Sequence, residues 1–392
     1  MPSSSAASIE PIELTVLMPC LNEAETLADC VEEAARALRE QGIAGEVVVA
    51  DNGSTDGSQA IAIRLGARVV PVAEKGYGRA LQGGIAAARG RYILIGDSDG
   101  SYDFTETGRF LAKHHEGWEI VIGNRFLGGI QPGAMPWINR NVGNPVLSGI
   151  GRLFFRCPVG DFHCGLRSFS KAAYERLGLR TGGMEFASEM VIKATLFHES
   201  MTEIPTTLRP DGRSRPPHLR PWRDGWRHLR FMLLFSPRWL FLQPGLALMV
   251  AGGLLSALLV RGPLHLGGLT LDVHTLLFAT TAVLIGFQSI AFAAFTKVFA
   301  IQSGVLPPDE KFQRWFKWIN LEKGLAVGGV LALAGLALSL RAVGLWGAHR
   351  FGDLSPGELL RWVIPGGAFL TLGCQIVLVS FFLSILGLPL KR

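Results

Sequence analysis

The 392-residue sequence predicts an α/β domain with a mainly parallel sheet, followed by a four-helix transmembrane region. Three observations carry that reading. Short apolar runs alternate with amphipathic stretches through the first hundred residues. Polar clusters at 19–23, 51–56 and 97–101 fall where those runs end. Beyond about residue 235, four long uncharged runs follow one another.

The elements follow in order. Residues 14–18 form an apolar run that predicts a strand ending at Pro19. Asn22-Glu23-Ala24-Glu25 resembles a capping box, with Asn22 as N-cap and Glu25 reaching back. It predicts a helix to about Arg39 with Leu27, Val31 and Leu38 on its apolar stripe. Residues 46–50 predict a second strand, stopped by the turn signal Asp51-Asn52-Gly53-Ser54-Thr55-Asp56-Gly57. A helix over 58–65, a strand over 68–72, a helix over 79–89 and a strand over 92–95 complete the pattern. Nearly continuous apolar strands alternating with helices indicate a parallel sheet covered on both faces. Ligands of such sheets bind beyond the carboxyl ends of the strands, where the three polar clusters lie.

The uncharged runs predict transmembrane helices at about 239–260, 275–297, 324–345 and 362–390. The third reaches the roughly 20 residues a bilayer core requires if Arg341 snorkels. Residues 1–11 read as a flexible N-terminus, with neither the basic nor the apolar region of a signal peptide. The soluble domain, 12–208, and the basic juxtamembrane segment, 209–238, are therefore expected in the cytoplasm, on a multi-pass protein of the inner membrane. Lys297, Lys311, Arg314, Lys317 and Lys323 between the second and third spans, with Lys391 and Arg392 at the end, agree with both termini inside. The spans hold few charges, which argues against an ion-coupled transporter. Gly252-Gly253 and Gly328-Gly329 suit close helix packing, including packing between protomers of a homo-oligomer. Five cysteines, Cys20, Cys30, Cys157, Cys164 and Cys374, make no CxxC pair and fit free thiols in a reducing compartment. The net charge of +6 is modest, and no nucleic-acid partner is expected.

The chemistry centres on Asp97-Ser98-Asp99. Residues i and i+2 of a strand share a face, so both carboxylates reach one hard cation if the strand persists into this turn. Mg²⁺ or Mn²⁺ held by one or two carboxylates and substrate phosphates is a common nucleotide-site design. Gly76-Tyr77-Gly78-Arg79-Ala80-Leu81 lacks the third glycine of a dinucleotide fingerprint. No Walker loop occurs.

Pro19-Cys20-Leu21-Asn22-Glu23, the Asp51–Gly57 turn, Glu74-Lys75-Gly76-Tyr77-Gly78 and Asp97-Ser98-Asp99 together resemble family 2 glycosyltransferases of the GT-A (nucleotide-diphospho-sugar transferase) fold. The resemblance continues through Gly123-Asn124-Arg125, Asp161-Phe162-His163-Cys164-Gly165-Leu166-Arg167 and Glu189, over roughly residues 12–235. The order is that of the dolichyl-phosphate mannosyltransferase group, which includes polyprenyl-phosphate glycosyltransferases. The resemblance implies that Pro19, Leu21, Glu23, Ala50, Asp51 and Asn52 line a nucleoside pocket. It implies that Asp97 and Asp99, with the Ser98 backbone, hold Mg²⁺ or Mn²⁺ and the diphosphate, with Asp99 catalytic. Arg125 is implied near the phosphates, Arg209 and Arg215 on phosphate oxygens, and Glu189 on sugar hydroxyls. Asp161 either assists the reaction at the metal or acceptor phosphate, or caps a turn against Arg167. Lys75 either reaches a phosphate or is solvated, and His163 reads as packing.

The implied partners are a nucleotide sugar, GDP- or UDP-hexose, a polyprenyl phosphate and the membrane. Two anionic substrates must meet, and the run Arg209, Arg213, Arg215, Arg220, Arg223, Arg227 and Arg230 supplies positive charge. Trp222, Trp226 and Trp239 suit a headgroup-level interface. A processive polysaccharide synthase of the same fold would carry Gln-x-x-Arg-Trp on an interfacial helix, whereas Gln313-Arg314-Trp315 lacks that spacing. A non-catalytic nucleotide-sugar scaffold is the other alternative, and both carboxylates being present argues against it.

Overall fold

A computed structural model describes residues 11–214, 221–312, 314, 320–353 and 355–387. The expected flexible N-terminus (apart from Pro11), Arg215, Arg220, Gln313, Trp315, Lys317, Lys391 and Arg392 lie outside the described residues. The chain divides into two compact units after Met232.

The first unit is built on a seven-stranded sheet of β1 (Leu14–Cys20), β2 (Gly45–Asp51), β3 (Arg68–Pro71), β4 (Tyr92–Ile95), β5 (Ile120–Asn124), β6 (Arg167–Ser170) and β7 (Met201–Pro205). Their order is β3-β2-β1-β4-β6-β5-β7. β6 runs antiparallel to β4 and β5, and every other pairing is parallel. The register Pro19↔Ala50 and Cys20↔Asp51 aligns the ends of β1 and β2, so their loops emerge together. β1, β2 and β4 are buried over most of their length, as their continuous apolar sequence requires.

Helix α1 (Leu27–Glu40) buries Leu27, Cys30, Val31, Ala34, Ala37 and Leu38 on one stripe. Its start corrects the capping-box expectation. The N-cap is Thr26, while Asn22 sits in the left-handed region at φ 59°. The reason is competition for donors. The backbone N–H groups of Asn22, Glu23 and Ala24 donate to Ser54 Oγ (2.9 Å), Ser58 Oγ (3.0 Å) and Asp56 Oδ2 (2.9 Å) in the loop after β2. Glu25, rather than reaching back, accepts from Ser214 N at 2.8 Å and Ser214 Oγ at 2.6 Å. The remaining helices of this unit are α2 (Ser58–Arg64), α3 (Tyr77–Ala87), α4 (Thr107–His115), α5 (Arg125–Gly128), α6 (Asn144–Phe155, preceded by the π-helical turn Asn139–Gly143), α7 (Lys171–Leu177), α8 (Phe186–Leu196) and α9 (Pro221–Leu234).

Among the described residues, the second unit contains four helices long and apolar enough to cross a membrane: Arg238–Leu259, Val273–Gln302, Leu321–Ala348 and Gly357–Leu386. Glycines set their close approaches. A Cβ at Gly252 would lie 2.5 Å from Ala279 O, and one at Gly245 would lie 2.8 Å from Gly286 O, so the first two spans meet there. A Cβ at Gly328 would lie 2.7 Å from Gly373 O, and one at Gly335 the same distance from Gly366 O, joining the third and fourth. The glycine pairs are thus spent within the chain at Gly252 and Gly328.

Candidate active site

The carboxyl ends of β1, β2 and β4 open into a cleft of about 550 Å³. Of the sequence-predicted site residues, Pro19, Leu21, Glu23, Asn52, Lys75, Asp97, Ser98 and Asp99 line it. Local structure explains how they are held. Ser98 Oγ donates to Pro19 O at 2.7 Å, and Thr26 Oγ1 donates to Ser98 O at 2.7 Å, tying the Asp97–Asp99 turn to the end of β1. Asn52 Nδ2 donates to Val72 O (3.0 Å) and Glu74 O (2.7 Å), while its Oδ1 accepts from Gly76 N at 2.9 Å. The side chain thereby shapes the 72–76 loop, from which Lys75 Nζ donates to Asn52 O at 2.6 Å. Gly78 lets α3 press on the neighbouring loop, since a Cβ there would lie 2.5 Å from Thr181 O.

Asp97 accepts from the Tyr77 hydroxyl at 3.0 Å. Its other oxygen faces Gly165, where a Cβ would come within 2.6 Å of Oδ2. Burial, and then the like charge of Asp99, push the Asp97 carboxyl up to about 6. Asp99 Oδ1 accepts from Ser101 N (3.0 Å) and Ser101 Oγ (2.5 Å), and its Oδ2 accepts from Arg213 Nη2 at 2.9 Å. Arg213 also donates to Glu23 Oε1 at 3.3 Å and Asp211 Oδ2 at 2.9 Å, while its buried Nε has no hydrogen-bond partner among the described residues. The floor of the cleft is therefore a carboxylate-rich place that draws in positive charge. Hard oxygen donors at Asp97 and Asp99 fit a hard divalent cation. Among the described residues no group of three His, Cys, Asp or Glu side chains is placed to hold a metal, so other ligands would come from substrate oxygens or water.

Several predicted residues lie elsewhere. Asp51 is buried and shapes its own turn, accepting from Gly53 N at 3.0 Å and Gln59 Nε2 at 2.6 Å, and Ala50 is core. Arg125 and Asp161 form a buried bidentate pair, Nε to Oδ2 at 2.7 Å and Nη2 to Oδ1 at 2.8 Å, away from the cleft lining. The partner of Asp161 is thus Arg125 and not Arg167, whose guanidinium donates to the carbonyls of Phe162, Cys164 and Ala187. Glu189 pairs with buried Lys193 at 2.8 Å and accepts from Arg180 N and Thr181 N. Burial alone would raise its carboxyl, but those bonds outweigh it and lower it. Glu189 therefore fixes the loop leading to Gly183 and Met184, which do line the cleft. Arg209 lies in a second, smaller cleft, paired with Glu33 at 3.1 Å and with Asp103.

Tyr77, Met184 and Asp224, which the sequence reading did not assign to the site, also line it, as do Arg213, Arg223 and Arg227 of the basic run expected to meet the anionic substrates. The signal for Arg213 and the α9 arginines was the basic run itself. Helix α9 is held by His228, whose Nδ1 lies 2.8 Å from Ser188 Oγ, and that hydroxyl lies 3.2 Å from His163 Nε2. The two imidazole rings meet edge-on at 4.4 Å. Burial holds both well below the ordinary histidine value, with His228 at about 4.

The family described as glycosyl transferase family 2 matches residues 15–178, and the glycosyltransferase family 2 C-terminal transmembrane region matches residues 294–387. The chain is 37% identical over 386 residues to the low-salt glycan biosynthesis hexosyltransferase Agl6 of Haloferax volcanii, covering 98% of this chain and 91% of that one. It is 25% identical over 197 residues to a dolichyl-phosphate hexose transferase of the same organism, covering 50% and 83%. A crystal structure of glucosyl-3-phosphoglycerate synthase from Mycobacterium tuberculosis aligns with a TM-score of 0.44 at 22% identity, covering 57% and 77%.

Proposed function

Because this chain belongs to glycosyltransferase family 2 and is a membrane protein with that family's C-terminal transmembrane region, we propose that it moves mannose or glucose from a GDP- or UDP-linked donor to a polyprenyl phosphate. The transfer inverts the anomeric carbon by in-line displacement and takes place at the cytoplasmic face of the inner membrane. The observation that carries this reading is the Asp97–Asp99 carboxylate floor, with Arg213 against it and Arg223 and Arg227 also lining the cleft. The names of the hexosyltransferase and dolichyl-phosphate hexose transferase relatives support the hexose and the lipid phosphate.

Asp97 and Asp99 would hold Mg²⁺ or Mn²⁺, which neutralises charge on the departing diphosphate when bound. The chain's own groups do the rest. Pro19, Leu21 and Asn52 form one wall for the nucleoside. Lys75 is fixed by its bond to Asn52 O, with an ammonium left to meet phosphate oxygens. Arg213, held against Asp99 and Glu23, keeps positive charge at the floor of the cleft. Arg223 and Arg227 give the acceptor phosphate a cationic approach. A phosphate monoester with a second pKa near 6 is already largely dianionic at neutral pH, so no strong general base is required.

The test incubates the purified full chain with labelled GDP-mannose, GDP-glucose or UDP-glucose, Mg²⁺ or Mn²⁺, and dolichyl or undecaprenyl phosphate. Cation-dependent label in the lipid fraction, abolished by Asp99→Ala, is the expected result. Label in a growing polymer would overturn the lipid-phosphate acceptor, and no transfer from any donor would overturn the catalytic reading.

A further inference from the structure

Between β5 and β6 the chain departs from the pattern of a water-exposed surface. From Phe126 to Gly160 there is no Asp or Glu, and the charges are three arginines, Arg140, Arg152 and Arg156. Helix α6 turns Ser148, Gly151 and Phe155 inward, and Gly151 packs so closely on the Phe162 ring that a Cβ would lie 2.6 Å from it. An ordinary surface helix would be polar on the opposite side. Here that side carries Val142, Val146 and Leu153 at 44, 51 and 59% exposure, with Trp137 at 73% ahead of the π-helical turn. Positions 138, 142, 146, 149 and 153 follow the helical repeat and make one continuous stripe, all exposed, and the three arginines are exposed as well.

We propose that this segment, Trp137 through Phe155, lies in the interfacial layer of an anionic leaflet as a second membrane contact of the catalytic unit, separate from the four spans. The charge pattern favours a bilayer over a protein occupant. An apolar stripe with cationic flanks and no acidic residue suits phospholipid headgroups above acyl chains. A tryptophan at one end suits the headgroup level. The first of the helices long and apolar enough to cross a membrane begins at Arg238, so a leaflet is at hand for a chain anchored by them. An exposed apolar stripe of this length on a chain bound to a membrane has a ready occupant in that leaflet.

The experiment places a nitroxide label at single cysteines replacing Val142, Val146 or Leu153. The full-length chain carries Cys374→Ser, because Cys374 is the exposed native thiol and the other four are buried. A reference label replaces Arg64, which is exposed at the end of α2. The proteins are reconstituted in nanodiscs of phosphatidylglycerol and phosphatidylcholine. Accessibility to oxygen and to a water-soluble nickel chelate is read by power saturation. The expected result is oxygen access well above nickel access at 142, 146 and 153, at depths of about 5–10 Å, with the opposite balance at 64. Nickel access at 142 and 146 equal to that at 64 would overturn the proposal by placing the stripe in water. Low access to both reagents would also overturn it, by showing a protein cover from this chain or a second copy. Three independent exposed sites keep the test decisive if one substitution disturbs folding.

Discussion

Acidification should release helix α9, and the size of the effect follows from His228. In the folded protein its imidazole is buried, bonded to Ser188 and packed edge-on against His163. Burial is the main cause of its depressed value of about 4, against an ordinary 6.5. Glu185 and Asp224 face it and favour the charged form, while Arg167 and Arg227 oppose it. The sign follows from which state binds the proton. Between pH 6.5 and 4 the released helix takes up a proton that the docked helix refuses, so docking is strongest above 6.5 and weakens as pH falls towards 4. A difference of that size corresponds to about 3 kcal/mol at full extent, and to a roughly 20-fold rise in the population of the released helix between pH 7 and pH 5. Hydrogen–deuterium exchange of residues 221–234, corrected for intrinsic rate, reads that population directly. Replacing His228 by Gln should loosen the helix at pH 7 and flatten the pH dependence. The same 20-fold rise in His228→Gln would show that another group takes up the proton and would refute the reasoning.

Other expectations follow from single contacts. Gly165→Ala puts a Cβ 2.6 Å from Asp97 Oδ2, forcing the carboxylate aside by several tenths of an ångström. Displacements of about 1 Å can cost about 100-fold in rate, so transfer activity should fall about 10- to 100-fold, and the melting temperature should also fall, because the same Cβ lies 2.9 Å from the buried Tyr102 ring. Asp161→Asn leaves the buried Arg125 guanidinium short of its counter-charge. It should cost about 3–5 kcal/mol in chemical denaturation without changing Mn²⁺ affinity. Weaker Mn²⁺ binding at unchanged stability would instead put Asp161 at the cation.

The cleft was readable because its pieces sit at the ends of apolar runs. Leu14, Val16 and Leu17 bury completely, and the polar residues that follow each such run are left at the sheet edge. The four spans were readable for a related reason: long uncharged stretches have few other stable environments. What local sequence could not convey was where long-range partners lie. Arg209 is drawn to Glu33, 176 positions away, and leaves the diphosphate region, while Arg213 takes the place beside Asp99. Arg125 and Asp161 sit in motifs that suggest catalysis, yet each satisfies the other in the core. The capping-box pattern at Asn22 was overridden because the 54–58 loop claims the same backbone donors. The antiparallel β6 between β4 and β5 has no marker in its four residues, Arg167–Ser170, and only the sheet order reveals it.

Binding of Mn²⁺ to the full chain, followed by electron paramagnetic resonance with GDP or UDP present, addresses the carboxylate floor itself. Wild-type protein should hold Mn²⁺ together with the diphosphate, and Asp99→Asn, which removes one charged ligand, should weaken that binding by at least about 10-fold. Equal affinity in the two proteins would contradict a cation site at Asp97 and Asp99.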